Sequence, residues 1–391
     1  MLQQLMEDIS DNIYFMDREG RIVLISQWGA RWLGFDSPAE VIGKTDYDLF
    51  SDEHAKAAFD DEQRIMETGE PVMGLEEKET WPDGRVTWVS TTKMPLRDVS
   101  GAIVGIFGIS RDITAHKERQ MLVIQMKEQM EAELNRASEV QRSYLAARRV
   151  TFPETVAAGA NFIQVIPEYR PSGPVGGDFF CLLPLSETRV GVLIADVMGH
   201  GVGAALTMSA LNAMVHSEAA RLAQPDKFLQ RLNRRLREVI SCENRFEFIT
   251  AFYLVIDTAD GTFSYATAGH HTPLVIRAGT GRADRLFDHS QLKGPALMLL
   301  PESTYKTCEN QLNPGDRLLL FTDGLTEMPC RPGDDEELGI DGLIQLVNQC
   351  CNNDLAGFVG TVTSAVLEAS GAKSFRDDVC VIGLNFQRAA D

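Results

Sequence analysis

With 391 residues, 44% of them hydrophobic and 24% charged, the chain is long enough for two or three domains, each with its own core. A net charge of −19 argues against a nucleic-acid partner, whose phosphates attract basic surfaces, and allows cation binding beside ordinary solvated acid. No apolar run approaches the roughly 18 to 20 residues of a membrane span, residues 1–11 lack a secretion signal, and the seven cysteines, without any Cys-x-x-Cys, suit free thiols in a reducing cytoplasm.

Residues 1–115 predict a small α+β domain. Apolar runs at 12–16 and 21–26 flank Asp17-Arg18-Glu19-Gly20, a hairpin turn signal. Short helical pieces follow, including 55–68, which Gly69 and Pro71 stop. Three strand-like runs, 72–79, 85–95 and 102–110, complete the domain, the first two joined by Trp81-Pro82-Asp83-Gly84. This order resembles a PAS sensory domain. So do the phrases Asn12-Ile13-Tyr14-Phe15-Met16-Asp17, Gly43-Lys44-Thr45-Asp46-Tyr47-Asp48-Leu49-Phe50 and Gly108-Ile109-Ser110-Arg111-Asp112-Ile113-Thr114. The resemblance implies a domain that hands the chain to a signalling helix and often encloses a small ligand, which no residue here names. His54 reads as a solvated helix histidine rather than a haem ligand, because no partner pattern accompanies it.

Residues 116–150 predict a helical linker. Between 116 and 149 there is neither Pro nor Gly, and helix formers dominate. Val123, Met126, Met130 and Leu134 recur in steps of three, four and four, an eleven-residue spacing that Ala137, Val140 and Tyr144 continue. One amphipathic helix is expected, closed by Pro153 and able to form a parallel homodimer through 117–148; the alternative is a helix packed on its own chain.

Residues 151–391 predict the larger domain. Strand candidates are 179–183, 190–195, 248–256, 262–268, 273–277, 317–322 and 379–385; helix candidates are 202–222, 226–240, 341–350 and 354–370. The turn 257–261 predicts a hairpin, and strands mostly follow strands, which favours antiparallel α+β layers over a doubly wound sheet.

The chemistry of this domain lies in aspartates at strand ends. Asp178 closes Gly176-Gly177-Asp178. Asp196 ends the run 190–195 and opens Asp196-Val197-Met198-Gly199-His200-Gly201. Asp323 follows the run 318–322 and precedes Gly324, and Asp377 and Asp378 lead into 379–384. Carboxylates held where glycines let the backbone fold close suit hard divalent cations, and the Val197 carbonyl could complete a coordination shell. Paired metals at such a site activate water and clamp a phosphoryl group. Each aspartate alone has a plainer reading: Gly-Gly-Asp as a capped turn, Asp196 as a helix cap. Four strand ends within 200 residues do not. Adjacent strand residues face opposite ways, so one of Asp377 and Asp378 should dominate a given site. His200 orients a water or packs in its turn.

Residues 160–386 resemble the SpoIIE/RsbU branch of the metal-dependent protein serine/threonine phosphatases, the PPM family. The phrases that carry this are Tyr169-Arg170-Pro171, Val175-Gly176-Gly177-Asp178-Phe179-Phe180, Asp196-Val197-Met198-Gly199-His200-Gly201, Ala268-Gly269-His270-His271, Phe321-Thr322-Asp323-Gly324-Leu325-Thr326-Glu327 and Arg376-Asp377-Asp378. The resemblance implies an αββα sandwich with two Mn²⁺ or Mg²⁺ ions, held by Asp178, Asp196, Asp323, Asp377 and the Val197 carbonyl, with Asp378 auxiliary. It also implies a phosphoserine or phosphothreonine substrate on a STAS-type anti-anti-sigma protein. Cys181 and Cys380 depart from relatives that carry Asp and Thr there, outside the metal set. No arginine stands where eukaryotic relatives grip phosphate; Arg170 is a substitute or a surface residue.

Two other readings remain. One is an inactive module that keeps the fold, against which the intact aspartate set speaks. The other is a PAS-linked histidine kinase or cyclic-dinucleotide synthase. His116 lies in the helix but no glycine-rich nucleotide-binding segment follows it, and Phe179 replaces the carboxylate a Gly-Gly-Asp-type synthase signature needs.

Overall fold

The computed structural model describes residues 2–81, 83–145, 149–217, 223–240, 247–288, 294–333, 335–350 and 355–390. The chain divides into two compact units, Met1–Met130 and Glu131–Asp391.

The first unit opens with α1 (Leu2–Asp8), then β1 (Asn12–Asp17) and β2 (Ile22–Ile25), joined as a hairpin. Asp17 makes that turn, its Oδ1 accepting the N–H groups of Glu19 at 3.0 Å and Arg21 at 2.8 Å. After α2 (Gln27–Trp32), α3 (Asp46–Leu49) and α4 (Asp52–Thr68) come β3 (Val72–Thr80), β4 (Val86–Arg97) and β5 (Ile103–Asp112). The sheet order is β2-β1-β5-β4-β3, every ladder antiparallel. Tyr14, Met16, Ile22, Ile25, Val41 and Leu49 form the core between sheet and helices. His54 departs from expectation. It is half-buried, its ring 4.8 Å from that of Phe50, and burial lowers its pKa.

Helix α5 (Thr114–Tyr144) ends earlier than the sequence suggested. Val150 to Phe152 pair with a neighbouring strand, which draws the chain out of the helical path before Pro153; residues 146–148 lie outside the described set. Met121, Leu122, Val123, Ile124, Met126 and Met130 are all exposed. Near the C-terminal end Ser138 and Gln141 are buried. That end belongs to the second unit.

The second unit continues with β6 (Val150–Phe152), β7 (Asn161–Arg170), β8 (Phe179–Pro184), β9 (Arg189–Val197), α6 (Val202–Ser217), α7 (Pro225–Val239), β10 (Ile249–Asp257) and β11 (Thr262–Ala268). Next are β12 (Leu274–Arg277), β13 (Arg282–Arg285), β14 (Cys308–Gln311), β15 (Arg317–Phe321), α8 (Gly339–Cys350), α9 (Leu355–Ser370) and β16 (Val379–Arg388). Of the expected helices, residues 218–222 and Asp354 fall outside the described set. Two antiparallel sheets result, β14-β11-β10-β9-β8 and β13-β12-β15-β16-β7-β6. The hairpin expected at 257–261 joins β10 to β11.

Strand periodicity decides the layers. Leu318 and Leu320 of β15, with Cys380, Ile382 and Leu384 of β16, enter one core together with β8 to β11, α6 and α7. Their alternate neighbours Leu319, Phe321, Val379 and Val381 enter a second core with Leu343 and Val347 of α8 and Phe358, Val362 and Val366 of α9. A strand apolar on both faces must be covered on both, so the stack is helices, sheet, sheet, helices. This is the αββα sandwich. Burying each such side chain stabilises the fold by roughly 1.5–3 kcal/mol.

Candidate metal centre

Pairing register brings the aspartates to one end of the sandwich. Phe179 lies opposite Ala195, so the next step outward sets Asp178 opposite Asp196. Phe321 lies opposite Val381 in the other sheet, and the Thr322 N–H donates to the Cys380 carbonyl at 3.1 Å, which sets Asp323 beside the approach to β16 where Asp377 and Asp378 sit.

Asp178 is the most enclosed, at 1% exposure. The Thr322 hydroxyl donates to its Oδ2 at 2.6 Å and accepts the Cys380 N–H at 2.9 Å, tying the two sheets together at this point. Asp178 also shares a hydrogen bond with Asp196. Burial, then the Asp196 charge, pushes the Asp178 carboxyl well up; burial, then the charges of Asp323 and Asp377, raises Asp196 to about 7. Asp323 is raised by burial, with His271 pulling the other way and Asp377 adding to the rise. Carboxyls crowded until they hold protons are a site short of positive charge.

The loop carrying Asp178 is braced from two sides. Asp378 takes the Ser172 N–H and hydroxyl on Oδ1, at 2.8 and 3.0 Å, and the Gly177 N–H on Oδ2 at 2.7 Å. Asp378, expected as an auxiliary ligand, thus also braces this loop through both of its oxygens. Asp377 is the member of the pair that acts electrostatically on both Asp196 and Asp323. From the other side comes α5. Gln141, 4% exposed, donates through Nε2 to the Gly176 carbonyl at 2.6 Å and accepts the Gly176 N–H on Oε1 at 3.1 Å. Tyr144 adds a 2.8 Å hydroxyl contact to Ser209 of α6.

The loop needs its glycines. A Cβ on Gly176 would collide with the Asp378 carboxylate and the Tyr169 hydroxyl, and one on Gly177 would stand 2.9 Å from the Val197 carbonyl oxygen. That carbonyl can thus lie against the loop, beside Asp178 and Asp196.

Among the described residues, no three acidic, histidine or cysteine side chains already converge as a chelating group. The donor set nonetheless fits hard divalent cations: all-oxygen, multiply anionic and uncompensated, with a backbone carbonyl beside it. The buried Tyr169 hydroxyl next to Asp378 and Asp178 has no hydrogen-bond partner among the described residues, a further sign of a site built for an occupant.

Sequence reasoning missed Gln141 and Thr322 and gave His271 no role. The half-buried His271 lies within electrostatic reach of Asp323, its ring 6.2 Å from that of Phe321; burial lowers its pKa and Asp323 opposes this. His200 is exposed rather than packed in its turn. Arg170 pairs with Glu168 at 2.6 Å, lies 3.3 Å from the Thr363 hydroxyl and covers the Phe375 ring, so its guanidinium is engaged within the fold.

Comparison with known proteins agrees with this fold. The family model described as Stage II sporulation protein E (SpoIIE) matches residues 186–387, and one described as PAS fold matches residues 6–118. The phosphoserine phosphatase RsbU of Bacillus subtilis (strain 168) is 28% identical over 231 residues, 59% of this chain and 64% of the relative. The phosphoserine phosphatase RsbP of the same organism is 28% identical over 166 residues, 42% of this chain and 40% of the relative. The chain thus spans less than two thirds of the length of either. The SiaA-PP2C domain of Pseudomonas aeruginosa shares the fold, with a TM-score of 0.52 at 17% identity over 66% of this chain and 98% of that one. With the SpoIIE match covering more than half of its length, and a PAS fold before it, this chain belongs to the SpoIIE family as a PAS-linked, RsbU-type member.

Proposed function

We propose that this chain is a signal-regulated protein phosphatase that hydrolyses phosphoserine or phosphothreonine with two divalent cations, Mn²⁺ or Mg²⁺. The observation that carries the reading is the set Asp178, Asp196, Asp323 and Asp377, gathered at one end of the sandwich with its charge uncompensated. These four and the Val197 carbonyl would hold the ions. Bound there, divalent cations lower the pKa of a coordinated water and neutralise the phosphoryl oxygens. The chain supplies placement. Thr322 fixes the Asp178 carboxylate, Asp378 and Gln141 fix the loop beneath it, and the bare Gly177 lets the Val197 carbonyl approach.

The relatives named as phosphoserine phosphatases support the substrate class. A folded protein substrate is supported by Met198, Val202 and Leu206, exposed apolar side chains on the segment that follows Asp196. We take that substrate to be a phosphorylated STAS-type anti-anti-sigma protein in a partner-switching cascade. The exposed apolar residues of α5 support a parallel homodimer, and Gln141 supplies a path from that helix to the metal loop. Among the described residues no helix is long and apolar enough to cross a membrane; we place the protein in the cytoplasm. The test is release of phosphate from a phosphorylated STAS protein by the full chain with and without Mn²⁺. Asp196→Asn and Asp323→Asn should each lose most turnover while the circular dichroism spectrum is kept; near-normal turnover in both at saturating metal would refute the assignment.

A further inference from the structure

The turn after Leu297 holds two leucines in water at the metal end of the sandwich. Leu297 exchanges backbone hydrogen bonds of 2.8 and 3.1 Å with Ile249 of β10, and Ile249 lies opposite Val197 of β9. Two ladder spacings therefore set Leu297 about 10 Å from the Val197 backbone. Beyond it, Leu299 and Leu300 are 37% and 51% exposed. On the β9 side the Met198 N–H donates to the Phe248 carbonyl at 3.0 Å, which continues the row to exposed Met198.

The fold enforces this exposure. Met298 is the one non-glycine residue among those described with a positive φ, 70°, a conformation that a Cβ disfavours. Such a residue persists where its surroundings over-determine it, and α7 does so here. Asn233, 1% exposed, accepts the Met298 N–H on Oδ1 at 2.7 Å and donates through Nδ2 to the Leu300 carbonyl at 3.0 Å. Arg237 donates to the Met298 carbonyl, and the Ser303 hydroxyl to the Leu300 carbonyl at 3.2 Å. Met298 turns into the core, and the two leucines that follow it turn out.

Charge says what meets them. The chain carries −19, yet α7 has five basic residues against two acidic ones. Lys227, Arg234 and Arg235 are exposed. Arg234, next to Asn233 in the chain, has no hydrogen bond or ion pair among the described residues. A basic helix face thus borders an apolar turn, beside a site suited to phosphoryl groups. That surface complements a protein that is anionic and presents an apolar patch.

We propose that the turn at 298–300 and the adjoining basic face of α7 form a docking surface for the phosphorylated protein substrate. An apolar patch beside the phosphorylated residue covers Leu299 and Leu300, and its acidic flank meets Arg234. The identity of the occupant rests on the phosphatase reading; the surface adds where preference for a protein over a small phosphate ester arises. A standard interface covers about 800 Å² of each partner, a patch roughly 30 Å across, so the turn and the metal end fit under one footprint.

The test reads binding and turnover separately, on the full chain. Calorimetry with a serine-phosphorylated STAS protein in metal-free buffer reads docking without turnover. Leu299→Ser combined with Leu300→Ser should raise Kd at least tenfold, and Arg234→Glu should raise it at least threefold at low salt and less at high salt. With Mn²⁺, KM for the phosphoprotein should rise by a similar factor in the double variant while kcat changes less. p-Nitrophenyl phosphate, too small to reach the turn, reports the metal site alone. No binding by the wild type, or a Kd unchanged in the double variant or in Arg234→Glu, would overturn the proposal. So would an equal loss on p-nitrophenyl phosphate, which would place the leucines in the fold, or a lower mass in light scattering with Kd unchanged, which would make the turn a contact between copies. Binding weakened as expected, with no phosphate released by the wild type from either substrate, would sink the phosphatase reading and leave the docking surface standing.

Discussion

Replacing Gln141 by methionine keeps the length and much of the apolar volume of the side chain while deleting both of its bonds to Gly176. The Gly176 N–H and carbonyl then lose their partner in a buried position, with Gln141 itself only 4% exposed. At about 1–3 kcal/mol for each of the two unmatched groups, the braced arrangement of the loop loses about 2–6 kcal/mol relative to one in which the loop moves toward water. Each 1.4 kcal/mol is a factor of ten, so even the lower figure corresponds to about 30-fold. Because the loop carries Asp178, that factor should fall on metal affinity. Mn²⁺ titrations of phosphate release should shift about 30-fold or more to higher concentration, while turnover at saturating metal changes less, since metal binding can restore the braced state. Gln141→Glu keeps an acceptor for the Gly176 N–H and should fall between the two. A Gln141→Met protein with intact circular dichroism and a wild-type Mn²⁺ curve would refute the idea that the helix sets the metal loop.

The metal-free protein should lose stability as pH rises. A carboxyl such as Asp196, raised from an ordinary value of 3.8 to about 7 when folded, binds a proton that the unfolded chain releases; its contribution is present below the ordinary value and gone above about 7, so the thermal midpoint should fall from about pH 5 to about pH 8 without metal and recover with Mn²⁺. Asp196→Asn should flatten that dependence, raise the metal-free midpoint by relieving like-charge repulsion, and abolish the Mn²⁺ shift, all read by calorimetry. Met126→Lys with Met130→Lys should turn a dimer into a monomer in light scattering; an unchanged dimer would move the interface away from α5. Leu206→Glu, on a side chain 67% exposed, should reduce turnover of a phosphorylated protein at least tenfold and leave hydrolysis of a small aryl phosphate unchanged; equal losses would place Leu206 in the fold instead of on a substrate surface.

The aspartates were legible because each ends an apolar run, and strand register then does the rest: Asp178 opposite Asp196 follows from Phe179 opposite Ala195. β7 was not legible. Ile163 and Val165 face one core while Ile166 faces the other, so the apolar–polar alternation disappears, and Pro167 within the run is a residue that strand interiors usually exclude. β14 was hidden for the opposite reason, being an edge strand with a mostly exposed, polar sequence. Gln141 gave no signal at all. A glutamine is an ordinary helix residue, and its partner is a backbone group 35 positions away that no side-chain pattern encodes. His54 was misjudged because helical periodicity alone does not reveal that Phe50 folds against it.

The division of the chain between Met130 and Glu131 has a practical consequence for anyone who would study the protein in pieces. A fragment begun at residue 151, where the linker was expected to end, would discard Gln141 and also Leu145, which at 3% exposure is part of the sandwich core. If the proposed function holds, such a fragment would need excess metal and would pass for a weak enzyme, or for one freed from its sensor, when it had only lost a piece of itself. The second compact unit begins inside the helix, at Glu131.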